Sequence, residues 1–138
     1  MRTLSAALHA RVTGDATVAS LCPGGMWLDV APPPAQAARP VVVFSLRGAP
    51  IEGEAMRCDA IVRRFTYGLT VEGTQDQAAA VRDAAARLED LLHRTPWTAT
   101  GWHIARVAFT DVTERAYVDG DSRLFAVIGQ LEIVAEQS

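Results

Sequence analysis

A chain of 138 residues, 49% of them hydrophobic, is long enough to bury about two thirds of its unfolded surface, so one α+β domain over 1–138 that folds without metals or disulfides is expected. All thirteen basic residues are arginine, and a formal charge of −3 excludes a protein that condenses broadly onto nucleic acid. Cys22 and Cys58 have no partner two or three residues away, which fits neither a zinc knuckle nor a disulfide framework, and no run of eighteen apolar residues could cross a bilayer. With no apolar run of signal-peptide length at the N-terminus, the expected product is soluble, cytoplasmic and reduced.

Leu4, Ala7, Leu8 and Val12 recur at helical spacing, which predicts a short amphipathic helix over 3–13 that stops at Thr13-Gly14. Asp15 is placed to cap a further turn, Ala16 to Leu21, before Pro23-Gly24-Gly25 breaks the chain. Met26 to Val30 reads as a brief extended piece anchored by Trp27. Residues 31–40 hold Pro32-Pro33-Pro34 and form a stiff connector that cannot join a ladder.

Val41 to Leu46 is apolar and β-branched on both faces, which predicts a strand with a central position or one face held for another subunit. Gly48 to Asp59 is polar and punctuated by Gly and Pro, and reads as an exposed arm of about twelve residues. The next strand alternates strictly: Ile61, Phe65, Tyr67, Leu69 and Val71 share a face interrupted only by Arg63, while Val62, Arg64, Thr66, Gly68, Thr70 and Glu72 share the other.

From Ala78 the period changes. Ala78, Val81, Ala85, Leu88 and Leu92, widened by Ala84 and Leu91, predict one long helix over 75–94 packed across one face of the sheet. Thr74 and Gln77 supply a capping box, Thr95-Pro96 a stop, and Asp83 with Arg87 and Asp90 with Arg94 the expected i,i+4 pairs. Beyond a connector holding Trp97, strands are expected over Trp102 to Val112, Glu114 to Val118 and Ser122 to Ala135, the last two joined at Asp119-Gly120-Asp121. The result is an α+β fold with a mostly antiparallel sheet of about four main strands. Leu124, Ala126 and Ile128 add apolar side chains to the face away from the long helix, and the expected cover for them is a partner subunit.

No catalytic constellation emerges. His9, His93 and His103 are scattered, with no His-x-x-x-His pair to anchor a metal, and His93 suits the dipole at a helix end. Ser45 lies on an apolar strand rather than a nucleophile elbow, and Asp119-Gly120-Asp121 lacks the later ligands of a calcium loop. Cys58, beside Arg57 in the polar arm, is the better candidate for a reactive thiol; Cys22 beside Pro23 reads as buried. Arg57, Arg63 and Arg64 form a basic cluster that either pairs with Glu52, Glu54 or Asp59 or forks onto a neighbouring subunit.

Taken whole, the layout resembles the tail terminator, or tail completion, proteins of long-tailed bacteriophages, prophages and gene transfer agents. The resemblance runs through Leu4-x-x-x-Leu8, Asp15-Ala-Thr-Val18-Ala-x-Leu21, the Pro32–Pro34 approach to Val41-Val42-Val43-Phe44, Phe65-x-Tyr67-x-Leu69-x-Val71-Glu72, Arg87-Leu88-Glu89-Asp90-Leu91-Leu92 and Leu124-Phe125-Ala126-Val127-Ile128-Gly129. It implies a non-enzymatic virion protein without cofactor, made in the host cytoplasm. Its copies, commonly six, form a homo-oligomeric ring that caps the tail tube, stops its growth and joins it to the head connector. DNA passes through such a ring without sequence-specific binding, and an acidic chain suits that passage. Arg47, Arg57, Arg63, Arg64, Glu52, Glu54, Leu124, Ala126 and Ile128 are the expected subunit or partner contacts. The competing readings are a small-molecule-binding or regulatory domain using a crevice near Trp97 and Trp102, and a small enzyme using Cys58 or His103.

Overall fold

The computed structural model describes residues 2–29, 38–47, 51–57, 60–95, 97–99 and 101–137. Helices α1 (Arg2–Thr13) and α2 (Ala16–Leu21) are followed by strands β1 (Met26–Leu28), β2 (Val41–Leu46), β3 (Ile51–Arg57) and β4 (Ala60–Thr74). A 3-10 turn, Gln75–Gln77, leads into α3 (Ala78–Glu89), which runs on through a wider π turn, Asp90–Arg94. Strands β5 (Trp102–Asp119) and β6 (Ser122–Gln137) close the chain as a long hairpin. The six-stranded sheet has the order β1-β2-β4-β6-β5, with β3 pairing alongside β4. All pairings are antiparallel except β1 with β2.

The helical periodicities translate directly into burial. Leu4, Leu8 and Val12 of α1 and Val81, Ala84, Leu88 and Leu92 of the long helix are essentially inaccessible, packed on Phe44, Phe65, Tyr67, Leu69 and Val71. Leu131 and Ile133 extend this core across β6, so one sheet face is dry from β2 to β6. The helix start carries the expected capping box, with Gln77 Oε1 accepting the Thr74 backbone N–H at 3.0 Å. At the other cap Asp15 accepts the Val18 N–H at 3.0 Å.

Four expectations change. The polar arm at 48–59 contains β3, whose backbone pairs with β4 (Glu52 opposite Arg63, Arg57 opposite Ala60); ladder hydrogen bonds need no apolar side chains, so composition hid the strand. Residues 48–50 and 58–59, Cys58 among them, lie outside the described residues, as does the connector from 30 to 37. The two pieces expected at 102–112 and 114–118 are one strand, because a bulge between Thr110 and Thr113, with Asp111 at φ 55°, absorbs the irregularity without ending the ladder. Arg87 pairs with Asp15 rather than Asp83: its Nε and Nη2 reach the two carboxylate oxygens at 3.0 and 2.7 Å, tying α3 to α2. Trp27 is 40% exposed instead of an inward anchor, its indole N–H donating to the Gly24 carbonyl at 2.8 Å.

Candidate assembly and contact surfaces

The sheet face turned away from the helices is built by strand parity. Along β4 the residues alternating with the core set are Arg64, Thr66, Gly68, Thr70 and Glu72, opposite Val134, Glu132, Gln130, Ile128 and Ala126 on β6. β2 adds Val41, Val43 and Ser45 on one side, and β5 adds Arg106, Ala108, Thr110, Thr113 and Arg115 on the other.

One end of this face is closed by the chain itself. Glu72, only 8% exposed, accepts from Arg39 Nη2 at 3.2 Å and from the Tyr117 hydroxyl. Burial, reinforced by the Glu72 carboxylate, pushes the Tyr117 phenol well above its ordinary range, so it remains a donor. Beside this network Val41, Leu124 and Ala126 are 1% exposed or less. Leu124 and Ala126 are therefore already covered in one copy, and the apolar surplus that was to demand a partner there is smaller than the sequence implied. Ile128, with Val43 and Val134, is half-buried and continues the face.

The other end is arginine-rich. Glu132 Oε1 stands between Arg64 Nε at 3.7 Å and Arg106 Nη2 at 3.9 Å. Arg47, whose backbone N–H donates to Thr66 O at 2.8 Å, lays its guanidinium over Gly68: a Cβ on that glycine would lie 2.5 Å from Arg47 Nε. Arg63 points to the opposite face, its guanidinium 5.8 Å from the centre of the Trp102 ring, which in turn stands edge-on to Phe65 at 5.4 Å. Arg63 and Arg64 thus belong to different faces of the sheet. Glu52 and Arg57 lie on the β3 ladder beside them, and Glu54 falls within its irregular stretch, between Glu52 and Met56.

Strand β5 is the far edge. Val112 and Val118 are 50% and 66% exposed, and Glu114 holds Arg82 of α3 through two bonds of 2.7 and 3.1 Å. Charges and bulges along β5 blunt the edge against indiscriminate strand pairing.

The chemical candidates stay apart. Cys22 is 2% exposed and burial pushes its thiol up to about 11, which makes it an unreactive apolar filler. His9, His93 and His103 are exposed on three different elements, and among the described residues no group of three His, Cys, Asp or Glu side chains is placed to hold a metal ion. Where a crevice is expected near Trp97 and Trp102, two open hollows border Trp97 and neither is lined by Trp102: one of about 220 Å³ between the end of the long helix and β5, against Ile104 and Val107, and one of about 530 Å³ against Ala7, Ala10 and Arg11 of α1. The Trp97 indole is not free to greet a ligand there, since it donates to Leu92 O at 2.9 Å. Among the described residues no helix is long and apolar enough to cross a membrane.

Of the residues that matter on the open face, Arg106, Glu132 and Tyr117 escaped sequence reasoning as site candidates. Alternation places each on that face, but which of them meet depends on cross-strand register, and the bulges at Ile104/Arg106 and Thr110/Thr113 shift it.

No family model matches the chain, and no curated protein matches it. Nineteen chains of solved structures do. One of them, from the virion of a native gene transfer agent particle, is similar over 96% of this chain and 96% of its own, with a TM-score of 0.66 and 19% sequence identity. The likeness is one of fold.

Proposed function

We propose that this chain is a structural protein of a phage-type tail: a tail-terminator-like domain whose copies, six in the simplest case, close into a ring that caps the tail tube, stops its growth and joins it to the head connector. The observation that carries the reading is the end-to-end fold likeness to a chain of a gene transfer agent virion, found independently of the spacing patterns that already resemble the tail terminators. The β3–β4 hairpin, with Glu52, Glu54, Arg57 and Arg63, is the proposed contact with a neighbouring copy, the tube or the connector. Ile128 and the half-buried Val43 and Val134 supply a further apolar contribution. On this reading the protein works in the tail of a virion or virion-like particle, has no cofactor and performs no chemistry.

The small-molecule reading has weaker support, since both hollows beside Trp97, about 220 Å³ against Ile104 and Val107 and about 530 Å³ against Ala7, Ala10 and Arg11, lie open on the surface, whereas ligand sites bury most of the ligand. Negative-stain electron microscopy of the purified chain mixed with its cognate tube subunits tests the proposal. Closed rings seated on tube ends are expected; tubes that grow to uncontrolled length without a cap in the presence of excess protein would refute it.

A further inference from the structure

We infer that copies of this chain meet through the two lateral edges of the sheet, with Leu28 on β1 of one copy set against Val112 on β5 of the next. The inference rests on the collar reading and deepens it by naming the contact between neighbours.

Five large hydrophobic side chains stand exposed among the described residues: Trp27, Leu28, Leu46, Val112 and Val118. None of these five is on a helix or on β4 and β6, the strands in the middle of the sheet. Cross-strand register puts two of them at the ends of one rung. Leu28 is opposite Phe44, Phe44 opposite Leu69, and Leu69 opposite Gly129, which faces the bulge between Thr110 and Thr113. Val112 lies over that glycine: a Cβ on Gly129 would stand 3.4 Å from Val112 Cγ2. Phe44 and Leu69 belong to the helix-covered face, so Leu28 and Val112 share that face at opposite edges, 52% and 50% exposed. On the adjacent rung Trp27 is beside Val43 on the other face, its ring steadied by the indole bond to Gly24 O at 2.8 Å.

This placement selects a second copy as the occupant. A ring closes through two different patches on opposite flanks of each protomer, and a rotation without rise brings together points at equal height. With the ring axis along β4, the two ends of one rung are such points. Pairing β5 with the β5 of another copy would cover Val112 and leave Trp27 and Leu28 in water, and a tube or connector subunit would seat on the ends of the strands rather than on their flanks. Each strand is rotated from its neighbour by about 20–25°, so over the four steps from β1 to β5 the edges turn by about 80–100° and cross where two copies meet. The contact is therefore a short apolar one, centred on Leu28 and Val112 with Trp27 beside it, and not a continued ladder. An edge whose charges and bulges resist strand pairing is compatible with such a crossing.

Charge placement at the two sites tests the contact in the full-length protein, read by sedimentation velocity at high concentration and by microscopy of capped tubes. Leu28→Glu or Val112→Arg alone should weaken association of copies by about 30-fold, a hot-spot-sized loss, because each buries a charge against an aliphatic partner. Both side chains are half exposed in one copy, so each variant should keep the circular dichroism and melting temperature of the parent. Combining Leu28→Glu with Val112→Arg in one chain should restore association, since every joint then sets a carboxylate against a guanidinium. An equimolar mixture of the two single variants should restore it as well, with charged and apolar joints in alternation. Val118→Arg, which lies beyond the last rung of β4, should leave association unaltered. Loss with Val112→Arg but not with Leu28→Glu marks a β5–β5 pair and overturns the inference, as does a double variant that fails to recover or an equal loss with Val118→Arg. Rings on tube ends that survive both single variants sink the edge contact and leave the collar standing. Association that the single variants abolish and the double restores, with no closed ring on any tube end, does the reverse. A parent that associates neither alone nor on tubes sinks both.

Discussion

Replacing Glu72 by alanine removes the carboxylate that Arg39 Nη2 meets at 3.2 Å and that the Tyr117 hydroxyl also uses. Arg39 is 7% exposed and Glu72 8%, with Val41, Leu124 and Ala126 alongside at 1% or less, so the charge left behind cannot turn to water without opening the sheet face. Breaking a buried ion pair from one side costs about 3–5 kcal/mol, and because Arg39 is held by more than this one carboxylate the lower end, about 3 kcal/mol, is expected. For a chain of this length that corresponds to a fall in Tm on the order of 10–15 °C. Urea titration at neutral pH, monitored by circular dichroism and tryptophan fluorescence, gives the change in midpoint at constant m. The decisive companion is Arg39→Met/Glu72→Leu, which removes both charges into an apolar neighbourhood and should return to within about 1–2 kcal/mol of the parent. A Glu72→Ala protein within about 1 kcal/mol of the parent, or a double variant worse than the sum of its singles, would refute a buried, mutually dependent pair.

Three further outcomes follow from the same geometry. Gly73→Ala should cost about 1–3 kcal/mol, since its Cβ would meet Val81 Cγ2 at 2.8 Å where the helix docks on β4, whereas Gly68→Ala meets only the movable end of Arg47 and should be neutral or slightly stabilising; equal effects in thermal melts would contradict this. The Tyr117 phenol is raised in the folded state, so the stability it contributes is intact below the ordinary tyrosine value near pH 10 and declines as pH rises above it; Tyr117→Phe should flatten that alkaline decline in a pH series of denaturation midpoints. Asp15 is held below its ordinary value by its bonds to Arg87, so its contribution is present above about pH 4 and is lost as pH falls further; Asp15→Asn should weaken the acid dependence and leave the neutral-to-alkaline profile unchanged.

Much of the architecture can be read from residue order because it depends on local periodicity. The stripe Val81, Ala84, Ala85, Leu88, Leu91 and Leu92 of the long helix and the alternation of Phe65, Tyr67, Leu69 and Val71 are buried as their spacing requires, and Thr74 with Gln77 begins the helix where the capping pattern stands. A helix of that length beside such a strand can hide only one sheet face, so the α+β layering follows as well. What the order of residues could not convey is which distant groups meet. Arg39, Glu72 and Tyr117 come from three separate segments, Arg87 crosses to Asp15 rather than to the acid one turn before it, and β3 is recruited through backbone bonds that leave no trace in polarity. Register across β4, β6 and β5 decides that Leu124 and Ala126 are sealed within one copy while Arg64 and Arg106 converge on Glu132, and register is fixed by bulges and long-range pairing rather than by the composition of any one strand.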